Sequence, residues 1–330
     1  MQSFPVSSSI LSAPPIAAFV AQQYGLANVT CQLLKAGINH TYLVLSASGK
    51  YIFRIYSYQW RSDVEIMEEI KLLQHLRDNS MNVSVAIPDV QGSFIQNIPA
   101  PEGERKAVLF TFATGEKVHF FTAEQHYKAG VTMAEMHRHT EKMQLNRIQY
   151  TPEILITESL EKLRPYISFD TEEIGYMQTA KQKLLTILNT ADTTAIRHGI
   201  VHMDMWFDNM NITDDGNITL FDFDFCGNSW LVADVAYYIL QLYAVETDEQ
   251  IFIEKKNSFL QGYESITRLT DEEKRLMPAL GASSYFFYLG VQCERFENWA
   301  NVFVSDTYLK RFITIRVKRW LDLCDRVKLC

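Results

Sequence analysis

The sequence predicts a two-lobed α+β protein, with a small β-rich N-terminal lobe and a larger α-helical C-terminal lobe. Three observations indicate this fold class. The chain has 330 residues, of which 47% are hydrophobic, so it can bury a large core and is long enough for two lobes. Short β-type runs separated by turn signals dominate as far as Gly115. Helical spacing dominates beyond it, so we expect lobes at residues 1–114 and 115–330.

The N-terminal lobe is predicted to begin with a short helix and to continue as strands. Two prolines suit the first turn of that helix, and Gly25 suits its end. Ser48-Gly49 forms the centre of a turn between two β-type runs. Ser62 can cap a second helix, whose apolar residues share one face. The predicted elements are helices at 14–24 and 62–76, strands at 42–46, 51–56 and 107–112, a strand region from 88 and a turn at 99–103.

The C-terminal lobe is predicted to be mainly helical, because apolar residues recur at helical spacing through most of it. Pro278 is expected to begin a helix, since proline suits the first helical position. Ser305 is a candidate cap for the closing helix. The predicted helices cover 122–139, 152–163, 171–188, 230–243, 248–263, 271–277, 278–299 and 306–327.

Charge and cysteine content limit the classes of function. The net charge of −8 argues against a general surface for nucleic acids or anionic membranes, and it fits a small-molecule enzyme with a cationic substrate. The uncharged stretches at 1–34 and 276–293 are interrupted by polar residues and proline, so neither predicts a membrane span. No basic residue precedes Lys35, so we expect no secretory leader. The odd number of cysteines, without CxxC spacing, predicts reduced thiols in a cytoplasmic protein. They are Cys31, Cys226, Cys293, Cys324 and Cys330.

Residues 199–227 contain six aspartates, three asparagines and a histidine. Buried like charges repel one another, so these side chains are either solvated turn residues or they surround a positive group. Residues 214–217, Asp-Asp-Gly-Asn, predict a turn between short strands at 210–213 and 218–221. Such a hairpin would bring Asn209 and Asp222 together. Their oxygens are the ligand type that Mg²⁺ prefers.

Asp204 precedes this hairpin on a loop, from which it can approach a substrate hydroxyl. It could orient that hydroxyl and accept its proton while Asn209 and Asp222 hold metal on a triphosphate, as in phosphoryl transfer. Two other interpretations stay open. These residues could be ordinary turn residues, or His198, His202 and Asp204 could be the metal ligands of a metallohydrolase. The glycine and β-branched residues between the two histidines disfavour the helix that the second interpretation needs.

The same segment resembles a known family. His202-Met203-Asp204 with Asn209 resembles the H-x-D-x-x-x-x-N catalytic loop of the protein-kinase-like fold, within the aminoglycoside phosphotransferase and choline kinase superfamily. Residues 221–224, Phe-Asp-Phe-Asp, and the later Asp234-Val235-Ala236 are similar to its metal-binding segment and D-x-A motif. "DFDFCGNSWLVADVA" is most similar to the branch with type II homoserine kinases and the stress-response kinase. The resemblance covers residues 15–300.

The resemblance implies nucleotide-binding residues in the N-terminal lobe, and a cleft between two such lobes is a usual place for a ligand. Arg54 occupies the position of a lysine that binds the α- and β-phosphates, and Glu69 is its expected partner. Arginine also binds phosphate, but with different geometry and reach. A surface strand residue and a solvated helix charge are the alternatives for these two. The other implied nucleotide-binding residues are Gly37, Asn39 and Thr41 in a phosphate-covering loop and Phe112 in the hinge.

The function that the resemblance implies is ATP- and Mg²⁺-dependent transfer of the γ-phosphoryl group to a hydroxyl. The expected acceptor is an amino alcohol, a homoserine-like metabolite or an antibiotic, with Asp204 as the catalytic residue and His202 and Asp234 as its scaffold. A stress-response type of protein Ser/Thr kinase and a nucleotide-binding module without transfer are the alternatives. The expected partners are a nucleotide and a small-molecule acceptor, without nucleic acid or membrane. Candidate acceptor-site residues, which could instead be helical core, are Tyr285, Tyr288, Gln292 and Arg295.

Overall fold

The computed structural model describes residues 4–327, so Cys330 lies outside it, and these residues divide into two compact units. The first unit contains the described residues as far as Ala113 together with Arg295–Val302. The second contains Thr114–Glu294 and the described residues from Phe303 onward. An antiparallel sheet dominates the first unit and helices dominate the second, which confirms the predicted α+β class. The assignment of nucleotide binding to residues 1–114 and of catalysis to 115–330 stays a prediction.

The first unit is built on one antiparallel sheet. Its strand order is β1 (Thr30–Ala36), β2 (Asn39–Ser46), β3 (Gly49–Tyr56), β6 (Gly103–Thr111) and β4 (Ala86–Ile87), with β5 (Gln96–Ala100) also paired to β6. Ser62 caps the second helix as predicted, because its hydroxyl accepts from the Glu65 amide while the Glu65 carboxylate accepts from the Ser62 amide. The elements are α1 (Ala13–Tyr24), β1 (Thr30–Ala36), β2 (Asn39–Ser46), β3 (Gly49–Tyr56), α2 (Asp63–Asp78), β4 (Ala86–Ile87), β5 (Gln96–Ala100) and β6 (Gly103–Thr111).

The two faces of this sheet differ in chemistry. Alternate residues of its central strands, such as Tyr42 and Phe53, form a buried apolar cluster with Ile16 and Val20 of α1. Neighbouring residues in a strand point to opposite faces. Thr41 is the register partner of Arg54, so these two side chains share the face that does not join this cluster. Sequence alternation therefore directs Arg54 away from the α1 core.

The second unit is mainly helical, with two short antiparallel sheets of two strands each. The first pairs β7 (His198–Val201) with β10 (Gly227–Trp230), and the second is a hairpin of β8 (Met210–Ile212) and β9 (Ile218–Leu220). Its elements are α3 (Ala123–Thr140), α4 (Ser159–Glu161), α5 (Glu172–Asn189), β7 (His198–Val201), β8 (Met210–Ile212), β9 (Ile218–Leu220), β10 (Gly227–Trp230), α6 (Val232–Val245), α7 (Glu249–Glu264), α8 (Asp271–Glu294), α9 (Asp306–Phe312) and α10 (Arg319–Arg326). Within residues 4–327, no helix is both long and apolar enough to cross a membrane.

A single helix, α8, replaces the two helices that the sequence predicts on either side of Pro278. Proline lacks an N–H and costs a helix interior about 3 kcal/mol, so a boundary was the expected outcome. Here α8 is buried along most of its length, and the indole N–H of Trp320 donates to the Pro278 carbonyl at 2.9 Å. Tertiary packing therefore offsets the local cost. The helix ends at Glu294, before the predicted end at Trp299.

Three other local predictions need correction. Trp230 ends strand β10 and pairs with His198, so it does not begin a helix. The predicted helices at 152–163 and 306–327 contain π-helical segments at Glu153–Glu158 and Ile313–Lys318. Strand β1 was not predicted, because it is a mostly exposed edge strand without a strong apolar alternation.

Candidate functional site

In the first unit, Arg54 and Glu69 form a buried ion pair. Arg54 NH1 lies 2.8 Å from Glu69 Oε1, and the two residues are only 7% and 1% exposed. Tyr56 joins them, since its hydroxyl donates to Glu69 Oε2 at 3.3 Å. The ring of Phe110 lies 4.7 Å from the Arg54 guanidinium carbon. The burial excludes both the surface-strand and the solvated-charge interpretations of these residues.

The other predicted nucleotide-binding residues lie on the strands around this pair. Gly37 lies in the two-residue connection between β1 and β2, and its amide donates to the Asn39 carbonyl at 3.1 Å. Asn39 and Thr41 follow on β2 at alternate positions, so they share the sheet face of Arg54. Phe112 follows the end of β6, with Lys50 Nζ 5.6 Å from its ring centre. Their roles toward a nucleotide stay predictions.

In the second unit, Asp234 fixes the loop that carries Asp204. This fully buried carboxylate accepts the backbone N–H groups of His202 and Met203, each at 2.7 Å. His137 Nε2 lies 3.1 Å from the same carboxylate. Met203 has a φ of 62°, a left-handed conformation that costs a non-glycine residue about 1–3 kcal/mol. The Asp234 contacts hold the loop in this conformation.

His202 acts as a neutral scaffold for the same loop. Its Nδ1 accepts from the Asp204 amide at 3.2 Å, so its Nε2 carries the proton and donates to the Phe221 carbonyl at 3.2 Å. Burial lowers the pKa of His202 below its ordinary value, which keeps the ring uncharged. The histidine therefore links the loop to the end of the β8–β9 hairpin. Both ring nitrogens are used in these two contacts.

Asp204 is held by hydrogen bonds to both of its carboxylate oxygens. Tyr237 donates to Oδ1 at 2.5 Å, and Asn209 Nδ2 donates to Oδ2 at 2.8 Å. Burial and the adjacent carboxylate raise the pKa of Tyr237 far above its ordinary value, so the phenol keeps its proton. An ionised carboxylate has about four acceptor positions, and these two donors fix its orientation. The arrangement is that of an oriented proton acceptor.

The β8–β9 hairpin places Asn209 and Asp222 at its two open ends. The Phe221 amide donates to the Asn209 carbonyl at 3.2 Å, which extends the ladder by one pair beyond Met210 and Leu220. Asp222 therefore lies one residue past the position opposite Asn209. It has a φ of 64°, a conformation that aspartate and asparagine adopt more easily than most residues.

The donor atoms at these two ends fit a hard divalent cation. Asn209 uses its Nδ2 for contacts with the Asp204 carbonyl and carboxylate, each at 2.8 Å. The atom left to meet a cation is the amide oxygen. An amide oxygen and the Asp222 carboxylate are the oxygen ligands that Mg²⁺ and Ca²⁺ prefer. The metal-binding role of Asn209 and Asp222 stays a proposal.

The metallohydrolase interpretation finds no support in the arrangement of side chains. His198 is exposed at the start of β7, whereas His202 is fully buried. In the part of the chain that the structure describes, no three His, Cys, Asp or Glu side chains are grouped to hold a metal ion. Of the other loop acids, Asp208 pairs with Lys117 at 3.4 Å, and Asp224 is buried with its carbonyl hydrogen-bonded to Arg147.

An open cavity of about 800 Å³ lies beside Asp204 within the second unit. Three of the four predicted acceptor-site residues line it, namely Tyr285, Tyr288 and Gln292, and all three lie on α8. The Tyr288 hydroxyl also donates to the Met203 carbonyl at 2.6 Å, so α8 supports the loop that carries Asp204 as well. A cavity of this size can hold a drug-sized ligand.

Arg295, the fourth candidate, does not line this cavity. Its guanidinium carbon lies 5.2 Å from the ring centre of Trp60, and its NH2 donates to the Tyr58 carbonyl at 3.3 Å. All three residues belong to the first unit. The structure therefore separates Arg295 from the three candidates that line this cavity, and α8 ends one residue before it.

Tyr237 is the residue that sequence reasoning missed in this site. It lies three positions after Asp234 on α6, where the spacing places both side chains on one helix face. Asp234 holds the loop backbone, and Tyr237 holds the carboxylate of the same loop. The helical spacing beyond the D-x-A motif was the signal that could have revealed it.

The sequence is similar to a family of phosphotransferases and to two named kinases. The sequence pattern of the phosphotransferase enzyme family, APH, matches residues 30–269. Amicoumacin kinase of Bacillus subtilis is 27% identical over 256 residues, which cover 75% of either chain. Homoserine kinase of Sinorhizobium medicae is 26% identical over 250 residues, which cover 74% of this chain and 73% of that protein.

A solved structure shows the same fold. The amicoumacin kinase hAmiN, in complex with AMP-PNP, Ca²⁺ and Ami, matches with a TM-score of 0.76 and 20% identity. The match covers 97% of this chain and 95% of that chain. Likeness at this identity bears on the fold alone, and it confirms the two-lobed kinase-like fold that the sequence predicts.

Proposed function

Because the chain belongs to the phosphotransferase enzyme family, we propose that it transfers the γ-phosphoryl group of ATP to a hydroxyl of a small molecule. The family makes the chain a kinase-type enzyme, whereas the nucleotide, the cation and the acceptor are our proposal. The observation that carries it is the Asp204 carboxylate, held by Tyr237 and Asn209 beside an 800 Å³ cavity. The relatives named amicoumacin kinase and homoserine kinase support an acceptor of small size.

In this proposal Asp204 accepts the proton of the acceptor hydroxyl. The hydroxyl oxygen forms a bond to the γ-phosphorus, and the bond between that phosphorus and the β,γ-bridging oxygen breaks. ADP leaves with the electron pair of the broken bond. Tyr237 and Asn209 keep the carboxylate oriented throughout, so the chain contributes positioning and proton acceptance, which are main sources of rate in phosphoryl transfer.

Asn209 and Asp222 would hold the divalent cation, for which we propose Mg²⁺. When bound, the cation would neutralise charge on the phosphates. Arg54 would bind phosphate oxygens, with Glu69 fixing its guanidinium, and an arginine can do so through two parallel hydrogen bonds. The further nucleotide contacts that we propose are Gly37, Asn39, Thr41 and Phe112.

The proposed compartment is the cytoplasm. Cys31, Cys226, Cys293 and Cys324 are free thiols in the structure, as suits a reducing environment. The proposed partners are the nucleotide and the acceptor, without nucleic acid or membrane.

The catalytic assignment is tested by Asp204→Asn, which keeps the size of the side chain but removes its basicity. We expect turnover to fall at least a hundredfold, about 2.7 kcal/mol in the barrier, while the nucleotide still binds. Steady-state ATP consumption with a responsive acceptor measures this. Asp214→Asn is the control, because Asp214 is an exposed carboxylate in the turn of the same hairpin. Near-wild-type turnover in Asp204→Asn would contradict the assignment of Asp204 as the proton acceptor.

The cation site is tested by Asp222→Asn, since asparagine tolerates the φ of 64° at this position. We expect Mg²⁺ with ATP to raise the melting temperature of the wild type more than ATP with a chelator does. The variant should lose most of that Mg²⁺-dependent increment, because a ligand stabilises only the state that binds it. An undiminished increment in the variant would exclude Asp222 as a ligand.

The acceptor class is tested by transfer of labelled phosphate from ATP. A panel of small-molecule alcohols and a panel of Ser- and Thr-containing proteins would be compared at equal hydroxyl concentration. We expect transfer to a small alcohol. Preferential labelling of protein would replace our proposal with the protein-kinase alternative. Binding of nucleotide without transfer to either panel would indicate a module without this activity.

A further inference from the structure

The charged residues that line the cavity beside Asp204 are basic, apart from Asp204 itself. Arg311 on α9 and Arg316 in the following π-helical segment both line it. The net charge of the chain, −8, would favour a cationic ligand, but this lining has the opposite sign. An ammonium group placed there would meet two guanidinium groups, and like charges in a partly enclosed site repel strongly.

This positive charge is not neutralised by the protein's own carboxylates. Within residues 4–327, neither arginine forms an ion pair, and Arg316 NH1 donates to the Ala244 carbonyl at 3.2 Å. The neighbouring Lys310, by contrast, pairs with Asp306 at 2.8 Å. Among the described residues, these two guanidinium groups therefore line the cavity without a carboxylate partner, and an anionic group on a ligand would balance their charge.

Helix α6 contacts both Asp204 and Arg316, at different levels along its axis. The Tyr237 hydroxyl contacts Asp204, and the Ala244 carbonyl contacts Arg316. Ala244 follows Tyr237 by seven positions, and a rise of 1.5 Å per residue makes about 10 Å along the helix axis. The two contacts therefore lie about two helical turns apart along α6.

Aromatic side chains form part of the cavity wall. The rings of Tyr237 and Tyr288 lie 5.5 Å apart, and those of Tyr285 and Phe312 lie 5.3 Å apart at nearly right angles. All four line the cavity. Aromatic walls favour an apolar or ring-containing body over a chain of hydroxyl groups.

We propose that the phosphoryl acceptor is a hydroxy acid, in which an apolar or ring-containing body separates the reacting hydroxyl from a carboxylate. Arg316 is the main carboxylate-binding residue, because it is partly buried and its guanidinium is held at Ala244. Arg311 is exposed and adds a second positive charge. A guanidinium suits this role, since its planar fork matches the two oxygens of a carboxylate. The inference rests on the proposed function and narrows its acceptor class.

The test uses the full-length enzyme with Mg²⁺ and ATP. The probes are short, medium and long hydroxy acids, aliphatic and aryl-containing, with their methyl esters and the amino alcohols of equal length. We expect kcat/KM for the best acid to exceed that of its ester and its amine at least tenfold. Arg316→Gln should lower kcat/KM for the acid at least tenfold, mainly through KM, and leave the ester unchanged. Preference for the amine or ester would overturn the proposal, as would an unchanged acid preference in Arg316→Gln.

Two controls keep these outcomes distinct from misfolding. Lys310→Gln removes a positive charge beside Arg311 without touching the cavity lining, and it should retain the preference for the acid. If Arg316→Gln does not fold, Arg316→Met serves instead, because its apolar side chain can occupy the space of the arginine stem in this partly buried position. A preference for the acid that stays unchanged in Arg316→Met would then overturn the proposal.

Failure of the proposed function is distinguishable from failure of this inference. If Mg²⁺ with ATP binds but no alcohol of any charge is phosphorylated, the proposed function fails. The carboxylate site is then judged by thermal stabilisation with the same hydroxy acids. Stabilisation of the wild type that Arg316→Gln abolishes supports the site, whereas no stabilisation, or equal stabilisation of both proteins, overturns it.

Discussion

Among single residues, those near Asp204 differ in how far the sequence reveals them. Asp204 and Asn209 stand five positions apart on one loop, so a local pattern was enough to single them out. Arg316 lies far along the chain and reaches the same cavity only because α6 and the segment after α9 are packed together. No local spacing encodes such a contact. The anionic acceptor that we propose differs from the cationic acceptor suggested by net charge for a related reason, since net charge sums a whole surface and a cavity samples a few residues.

His126 makes the stability of the fold depend on pH. It is 2% exposed, its Nδ1 lies 2.8 Å from the Tyr238 hydroxyl, and burial lowers its pKa to about 4. A histidine in an unfolded chain has a pKa near 6.5. Below that pH, His126 therefore binds a proton in the unfolded chain but stays neutral in the folded chain until the pH approaches 4. The contribution of neutral His126 to the free energy of unfolding is therefore fully present above about pH 6.5 and is lost progressively as the pH falls toward 4.

We expect His126→Gln to reduce this acid sensitivity. Between pH 7.5 and pH 5, the free energy of unfolding should fall by about 2 kcal/mol less in the variant than in the wild type. Denaturant unfolding at the two pH values measures the difference. His119→Gln, which replaces an exposed histidine, is the control and should behave as the wild type does. Equal pH dependence in His126→Gln and the wild type would contradict the assignment.

At the level of secondary-structure elements, helices α3 and α7 pack closely because each has a glycine, Gly130 or Gly262, that faces the backbone of the other helix. A Cβ added to Gly130 would lie 2.0 Å from the Phe259 carbonyl oxygen, and one added to Gly262 would lie 1.9 Å from the Tyr127 carbonyl oxygen. Backbone atoms cannot move aside as a flexible side chain can. The absence of a side chain at these two positions therefore sets the distance between the helices.

Gly130→Ala should force these helices apart. Overpacking of a well-packed contact costs typically about 1–3 kcal/mol, and we expect the upper end because the clash is with backbone. Gly175→Ala on α5 is the matched control, since no atom lies within 4 Å of its added Cβ. It should be neutral or stabilising by up to about 1 kcal/mol, because alanine favours a helix. Equal stability of the two variants in denaturant unfolding would refute this packing argument.

The elements that sequence reasoning located are those with local signals. The Ser62 cap, the Gly25 helix end and the hairpin around residues 214–217 each depend on a few neighbouring residues. The errors arose where distant contacts decide. Trp320 and the packing of α8 override the local preference of Pro278, and pairing with β7 holds Trp230 in a strand. Local propensity is a weak guide where tertiary packing is strong.

For the molecule as a whole, the division into two units does not follow the order of the chain. Arg295–Val302 lies between two parts of the second unit in sequence but belongs to the first. Arg295 is 9% exposed and is held there by Trp60 and Tyr58, and Asn298 Nδ2 donates to the Ser7 carbonyl at 2.9 Å. No local pattern predicted this return, because residues 295–302 continue an aromatic, helix-like run.

Arg295→Met should weaken the first unit selectively. The change keeps the apolar stem but removes the contact with Trp60 and the hydrogen bond to Tyr58, at a cost of about 1–2 kcal/mol. Native-state hydrogen exchange should show reduced protection in the first unit and unchanged protection in the second. Arg268→Met, at an exposed position of the second unit, is the control. Reduced protection in both units, or in neither, would count against this assignment.

The return of residues 295–302 to the first unit also bears on how such enzymes can be recombined. A chimera made with a single junction near residue 113 would join one parent's sheet to the other parent's residues 295–302. The residue at position 295 would then come from one parent, and the residue at position 60 that it packs against would come from the other. Exchange of the smaller lobe between relatives would therefore require three junctions, after residues 113, 294 and 302, so that both stretches of the lobe come from the same parent.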